Sequence, residues 1–269
     1  MFWTRLASGI VLVIAAVATI LAGGDIWFLT VSLLTLIGLY ELYKTMNIEK
    51  TALGYAGILT AALHCLLLRM DVEGSAVVAV IAGFLVLSSI YVFTFPKFNV
   101  NQMAFAVFGI VYVPVLMMHL YQIRELSDGL YLMPLVFLSA WGNDTCAYCV
   151  GMLIGKHKMT PKLSPKKSVE GLIGGIAGAI LLGAGYGTLF GQNLPSLGNA
   201  AISCGIICGV GAVIAVVGDL TASAVKRDTG IKDYGKLIPG HGGVLDRFDS
   251  ILFTAPIVYY LAVYLGTLY

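Results

Sequence analysis

The sequence predicts an all-α, polytopic integral membrane protein with about nine transmembrane helices. Three observations predict it. Hydrophobic residues fill 59% of the 269 positions and charged residues only 11%, whereas a soluble domain carries about 25% charged residues. Mean hydropathy is +0.92. Apolar stretches near the roughly 20 residues that a helix needs to cross a bilayer recur from one end of the chain to the other.

Those stretches are 6–22, 26–42, 52–68, 76–95, 103–121, 130–153, 172–190, 200–217 and 251–268. The first follows Arg5 and superficially resembles a signal peptide, but many further apolar runs follow it and there is no polar domain to export, so it reads as a first span. The third is marginal in length. The first five spans, within 1–125, form an N-terminal membrane region without a recognisable motif. Residues 126–269 form the C-terminal catalytic region, with its loops and a polar segment.

Charge placement supports this count. With the N-terminus cytoplasmic, Arg5, Lys44, Lys50, Lys97, Lys156, Lys158, Lys162, Lys166, Lys167, Lys226, Arg227, Lys232, Lys236 and Arg247 fall inside, and only Arg69 and Arg124 fall outside. That asymmetry is the positive-inside rule, and a miscounted span in the middle would destroy it. Tyr269 then lies on the outer side. The formal net charge of +2 gives no reason to expect nucleic acid as a partner.

Cys65, Cys146, Cys149, Cys204 and Cys208 all lie in apolar runs, so no disulfide framework is expected. Cys146 and Cys149 spell C-x-x-C without a second pair or a histidine at zinc spacing, and helix packing is the expected role. The 32 glycines cluster in the seventh and eighth spans, at Gly171, Gly174, Gly175, Gly178, Gly205, Gly209 and Gly211. Small residues so spaced let membrane helices approach closely. They serve packing within the chain or, alternatively, a homodimer interface.

Ionisable groups in or beside hydrocarbon are costly and mark function by default. Three places qualify: Trp141-Gly142-Asn143-Asp144-Thr145 inside the sixth span, the loop 155–171, and the segment 218–250, GDLTASAVKRDTGIKDYGKLIPGHGGVLDRFDS. The last offers Asp219, Asp246 and Asp249 as hard-metal ligands, and Lys226, Arg227, Lys232, Lys236 and Arg247 as anion partners. Magnesium takes oxygen ligands, usually one or two carboxylates together with substrate phosphates. Gly240, Gly242 and Gly243 permit close backbone approach, and glycine-rich turns cradle phosphate through N–H groups. Taken alone, the basic residues also suit contact with anionic lipid, and His241 suits an ordinary loop. His64 and His119, isolated in apolar spans, read as structural. There is no G-x-x-x-x-G-K-[ST] loop, G-x-S-x-G elbow or H-E-x-x-H helix.

From Ser223-Ala224-Val225-Lys226-Arg227 through Lys232-Asp233-Tyr234-Gly235-Lys236-Leu237-Ile238-Pro239-Gly240-His241-Gly242-Gly243-Val244-Leu245-Asp246-Arg247-Phe248-Asp249, the residues resemble the signature of the phosphatidate cytidylyltransferases, or CDP-diacylglycerol synthases. Asn143-Asp144-Thr145 with Ala147, Tyr148 and Gly151, and Ser164-Pro165-Lys166-Lys167-Ser168 with Glu170 and Gly171, are similar to that family too. Cys146 and Ser168 depart from its pattern without touching the chemistry.

The resemblance implies transfer of a cytidylyl group from CTP to the phosphate of phosphatidic acid, releasing pyrophosphate. It implies Asp144, Lys167, Asp219 and Asp246 as catalytic residues. Asp219, Asp246 and Asp249 would bind metal, with Asp144 a further ligand or an orienter. Magnesium is the expected metal, with a second metal or a monovalent cation as a companion. Ser164, Lys166, Lys167, Ser223, Lys226, Arg227, His241, Gly242, Gly243 and Arg247 would contact substrate. CTP, phosphatidic acid and the lipid bilayer are the expected partners. A bacterial inner membrane is the expected location, with the active-site loops cytoplasmic.

Two rivals make different demands. A polyprenol or dolichol kinase would transfer the γ-phosphoryl group and release CDP. A transporter would spread its carboxylates through the membrane depth, whereas here both signs of charge crowd one face. CDP-alcohol phosphotransferases carry a D-G-x-x-A-R motif, which is absent.

Overall fold

A computed structural model describes the backbone of residues 2–267 and side chains from Ser8 onward. Arg5 and Tyr269, assigned to opposite sides above, lie outside the described side chains. Helices dominate the described residues, and seven are long and apolar enough to cross a membrane. They answer to the expected spans beginning at 26, 52, 76, 103, 172, 200 and 251. The span expected at 6–22 lies within helix α1 (Phe2–Ala22), and that at 130–153 within a broken helical stretch described below.

The chain forms two compact units, residues 1–121 with 228–248, and residues 122–227 with 249–269. Residues 228–248 therefore group with the N-terminal helices, whereas division of the sequence at residue 125 keeps the whole signature in the C-terminal half.

In the first unit α1 is followed by α2 (Gly24–Lys44), α3 (Ala52–Arg69), α4 (Ser75–Phe93) and α5 (Val100–Ile110). Helix starts carry local caps: Thr51 accepts from Gly54 N, and Asn99 and Gln102 form a reciprocal capping box, which satisfies orphan N–H groups. Tyr43 is the central packing element. Its ring fills space left by Gly57 on α3 and Gly109 on α5, and its hydroxyl donates to the Ala106 carbonyl at 2.7 Å. Lipid supplies no hydrophobic drive between helices, so such close packing with one satisfied polar tip holds the bundle. After α5 a π-helical turn, Val111–Val115, contains Pro114, whose missing N–H breaks the α-helical ladder. Helix α6 (His119–Glu125) follows. His64 and His119 are both buried, in keeping with the structural reading.

In the second unit α7 (Gly129–Phe137) runs through another π-helical turn, Leu138–Gly142, into α8 (Asn143–Ile154). A short antiparallel hairpin, β1 (Lys158–Thr160) and β2 (Ser164–Ser168), then leads to α9 (Val169–Phe190). Two 3₁₀ turns follow, then α10 (Ala200–Asp228) and α11 (Leu245–Gly266), the latter belonging to this unit from Asp249 onward. The glycine stripes are used inside the unit. Gly171, Gly174, Gly175 and Gly178 pack on α8, Gly183 and Gly187 on α10, and Gly209 receives Ile180. Cys146 sits against Gly178, in keeping with a packing role, whereas Cys149 is exposed; all five cysteines are free thiols.

A Cβ at Gly175 would strike Asn143 Oδ1 and come within 2.9 Å of the Ala147 Cβ. Gly175→Ala should therefore overpack the α8–α9 contact and cost about 1–3 kcal/mol, read as a lower Tm in detergent. An unchanged Tm would mean that the contact is not close in the membrane.

Candidate active site

The loop 155–171 contains an ordered turn rather than a free basic strand. Pairing of Lys158 with Ser168 and of Thr160 with Ser164 folds Ser164, Lys166 and Lys167 back along β1. Ser168 ends the hairpin and caps α9, accepting from Gly171 N at 3.1 Å. Glu170, in the first turn of α9, accepts from the backbone of Lys156 and His157 and meets His157 Nδ1 at 2.6 Å. Both ends of the hairpin are thereby fixed to the start of α9. A carboxylate also suits the positive end of that helix.

So held, Lys167 reaches Asp219 on α10 and forms an ion pair with it. Each side chain is about one quarter exposed (26% and 25%). Apart from that ion pair, the buried Nζ of Lys167 has no hydrogen-bond partner among the described residues. An ammonium carries three donors, and a buried one left short of acceptors is costly. Asp144, in the first turn of α8, lies close enough to feel the charges of both Lys167 and Asp219.

Lys167 and Asp144 line a cavity of about 450 Å³ together with Asn143, Tyr148, Ser164 and Lys166, with Met159, Leu172 and Val216 as its apolar residues. Asn143 is fully buried, and neither its Nδ2 nor its Oδ1 has a hydrogen-bond partner among the described residues. The π-helical turn just before it sets where Asn143 and Asp144 emerge, a distortion often found at functional sites. Cavity wall and basic rim together suit an amphipathic anion.

On α10, Ser223 lies four residues after Asp219, and the adjacent Lys226 and Arg227 lie three and four residues after Ser223, spacings that put each of them beside Ser223 on the helix surface. Gly218 lets α11 come close, since a Cβ there would lie 2.7 Å from the Asp249 carbonyl oxygen. The second unit thus gathers Asp144, Ser164, Lys166, Lys167, Asp219, Ser223, Lys226, Arg227 and Asp249.

His241, Gly242, Gly243, Asp246 and Arg247 belong to the first unit. There Asp246, 7% exposed, accepts from Tyr234 N at 2.8 Å and Gly243 N at 3.0 Å through Oδ2. Ile238 N donates to the Gly242 carbonyl and His241 N to the Ile238 carbonyl. The glycine-rich turn is thus internally bonded, and the Gly243 N–H expected to face phosphate is given to Asp246. His241 Nδ1 is 2.9 Å from Ser8 Oγ on α1. Among the described residues, no three Asp, Glu, His or Cys side chains cluster closely enough to hold a metal ion.

One residue that the motifs do not pick out also takes part. Glu41, near the end of α2, is 6% exposed and accepts from Val244 N and Leu245 N. The sequence signal for it is a carboxylate at the end of an apolar span.

A phosphatidate cytidylyltransferase of Staphylococcus saprophyticus is 34% identical over 260 residues, 94% of this chain and 96% of the relative. One of Staphylococcus epidermidis is 35% identical over 259 residues with the same shares. Another, from Staphylococcus aureus, is 32% identical over 264 residues, again at 94% and 96%. The model of the cytidylyltransferase family matches residues 3–265, and the chain belongs to that family.

Proposed function

We propose that the protein is a CTP:phosphatidate cytidylyltransferase, an integral membrane nucleotidyltransferase of phospholipid biosynthesis. A phosphatidate phosphate oxygen attacks the α-phosphorus of CTP, the bond to the β-phosphate breaks, and CDP-diacylglycerol and pyrophosphate result. The observation that carries the reading is the buried ammonium of Lys167, paired with Asp219 and lining a cavity that also holds Lys166, Asp144 and the apolar side chains of Met159, Leu172 and Val216.

Both reactants are anions whose phosphates are already nucleophilic enough, so the protein's task is alignment and charge neutralisation. Lys167 and Lys166 meet phosphate oxygens, and Lys226 and Arg227 extend the positive face along α10. Met159, Leu172 and Val216 accept the glycerol and upper acyl region of the lipid. Asn143 offers one donor pair and one acceptor that the chain itself leaves unmatched.

Asp144 and Asp219 form a pair of hard oxygen donors that suits magnesium completing its shell with triphosphate oxygens and water. Asp249 of the same unit is a further ligand candidate, while Asp246, expected as a ligand from the sequence, belongs to the other unit; a second or monovalent cation is the expected companion. Such an ion would stabilise charge developing on the pyrophosphate leaving group. The basic hairpin and α10 end face the cytoplasm of a bacterial plasma membrane in this reading, supported by the positive-inside charge asymmetry. A homodimer, carried forward from the sequence, needs a surface other than the glycine stripes on α9 that pack on α8 and α10.

The test is an assay of purified protein in detergent with phosphatidate, magnesium and CTP labelled at either the α- or the γ-phosphate. Expected are α-label in the lipid product and γ-label in pyrophosphate, with turnover lost in EDTA and restored by magnesium. Label from the γ-position in the lipid would mean a kinase. Unchanged turnover in EDTA would remove the metal from the scheme.

A further inference from the structure

We infer that Glu41 is a positioning residue for cytidylyl transfer: from α2 its carboxylate holds the entry to α11 and so fixes how Asp246 and Arg247 are presented. The inference rests on the activity proposed above, but half of its test needs no turnover.

A carboxylate 6% exposed at the end of an apolar helix is expensive unless compensated. Among the described residues no Lys, Arg or His forms an ion pair with Glu41. Its compensation is backbone. Oε1 accepts from Val244 N at 3.1 Å and Oε2 from Leu245 N at 3.0 Å. These N–H groups open α11, where the first amides lack partners within the helix and the dipole favours a negative charge. A side chain 203 and 204 positions away in sequence therefore does what a local cap does elsewhere.

The seat is shaped for that carboxylate. A Cβ on Gly235 would collide with Glu41 Oε1, and one on Gly243 with both carboxylate oxygens. Two glycines of the signature thus make room for Glu41, a use distinct from cradling phosphate. Asp246 follows Leu245 directly and ties Tyr234 N and Gly243 N. Glu41 and Asp246 consequently hold the same turn through four of its N–H groups. Losing Glu41 frees the first turn of α11 to shift, and with it the functional side chains that follow. Small misplacements of this kind can cost up to about 100-fold in rate.

The experiment uses the full chain in nanodiscs, with Glu41→Ala and Glu41→Gln. Hydrogen–deuterium exchange is followed by mass spectrometry, alongside kinetics with CTP and phosphatidate. Expected for Glu41→Ala is faster exchange confined to peptides covering 234–245, a kcat lowered about tenfold or more, and an unchanged KM for phosphatidate. Glu41→Gln, which keeps one acceptor oxygen, should recover part of both. Normal kcat despite faster local exchange would overturn the inference. So would exchange that quickens equally through α3, α4 and α5, since Glu41 would then be a general packing residue. If Glu41→Ala does not fold, Gly243→Ala displaces the carboxylate from its seat and must give the same local exchange pattern. A wild-type protein without cytidylyl transfer would sink the proposed function, while the exchange pattern would still report whether Glu41 holds the turn.

Discussion

Replacing Lys167 with Met should lower kcat/KM for CDP-diacylglycerol formation by about 100- to 1,000-fold, about 2.7–4 kcal/mol of transition-state stabilisation. The side chain keeps its length and packing but loses its charge. The nitrogen of Lys167 is buried and committed to an acidic partner. Removing the charge also leaves Asp219 without its counter-ion. Breaking a fully buried pair costs about 3–5 kcal/mol, and this pair, a quarter exposed, should cost less. Loss of activity in the single variant therefore mixes two effects. The double variant Lys167→Met/Asp219→Asn separates them, because both charges leave together. It should recover most of the single variant's lost Tm while remaining inactive. Recovery of turnover in the double variant would reduce the pair to a structural ion bridge.

Asp246 allows an equivalent separation. Asp246→Ala strands the N–H groups of Tyr234 and Gly243, each a loss of about 1–3 kcal/mol when buried, and should both destabilise the turn and abolish turnover. Asp246→Asn keeps an acceptor oxygen for those donors but removes the charge that a metal or a phosphate network would use. The expected result is a Tm near wild type with activity reduced about 100-fold or more. An active Asn variant would confine Asp246 to holding the turn, the role its two hydrogen bonds already display.

The two experiments probe different units, since Lys167 and Asp219 lie in one and Asp246 in the other. Combined with the Glu41 variants, they separate residues that meet the reactants from residues that hold others in place. Glu41 and Asp246 share one turn, so their effects should not add. Lys167 and Glu41 share no partner among the described residues, and their effects should combine nearly independently.

Helix identity and approximate limits were legible from composition and run length, because a bilayer imposes one length and one polarity on every span. So were the candidates for the site: Asp144, Lys167 and Asp219 stand out as charges in or beside apolar segments, and the fold brings Lys167 onto Asp219. Less legible was the order of packing. A helix that is apolar all round has no periodic face to announce its neighbour, so the glycine stripes alone could serve this chain or a second copy. The coordinates place Gly175 on Asn143 and Gly183 on Cys208, within one unit.

By itself, then, the sequence determined that this is a helical membrane enzyme, and which polar residues are candidates for phosphate chemistry. These are local properties, fixed by residue type and by distance along the chain. Only the tertiary structure decided that β2 turns Lys167 onto Asp219, that π-helical turns redirect the chain before Asn143, and that Gly243 turns its N–H to Asp246 and its bare Cα to Glu41. The Lys167–Asp219 pair and the seat of Glu41 depend on partners far away in sequence, chosen by which hydrogen-bond donors and which voids the folded chain leaves to be matched.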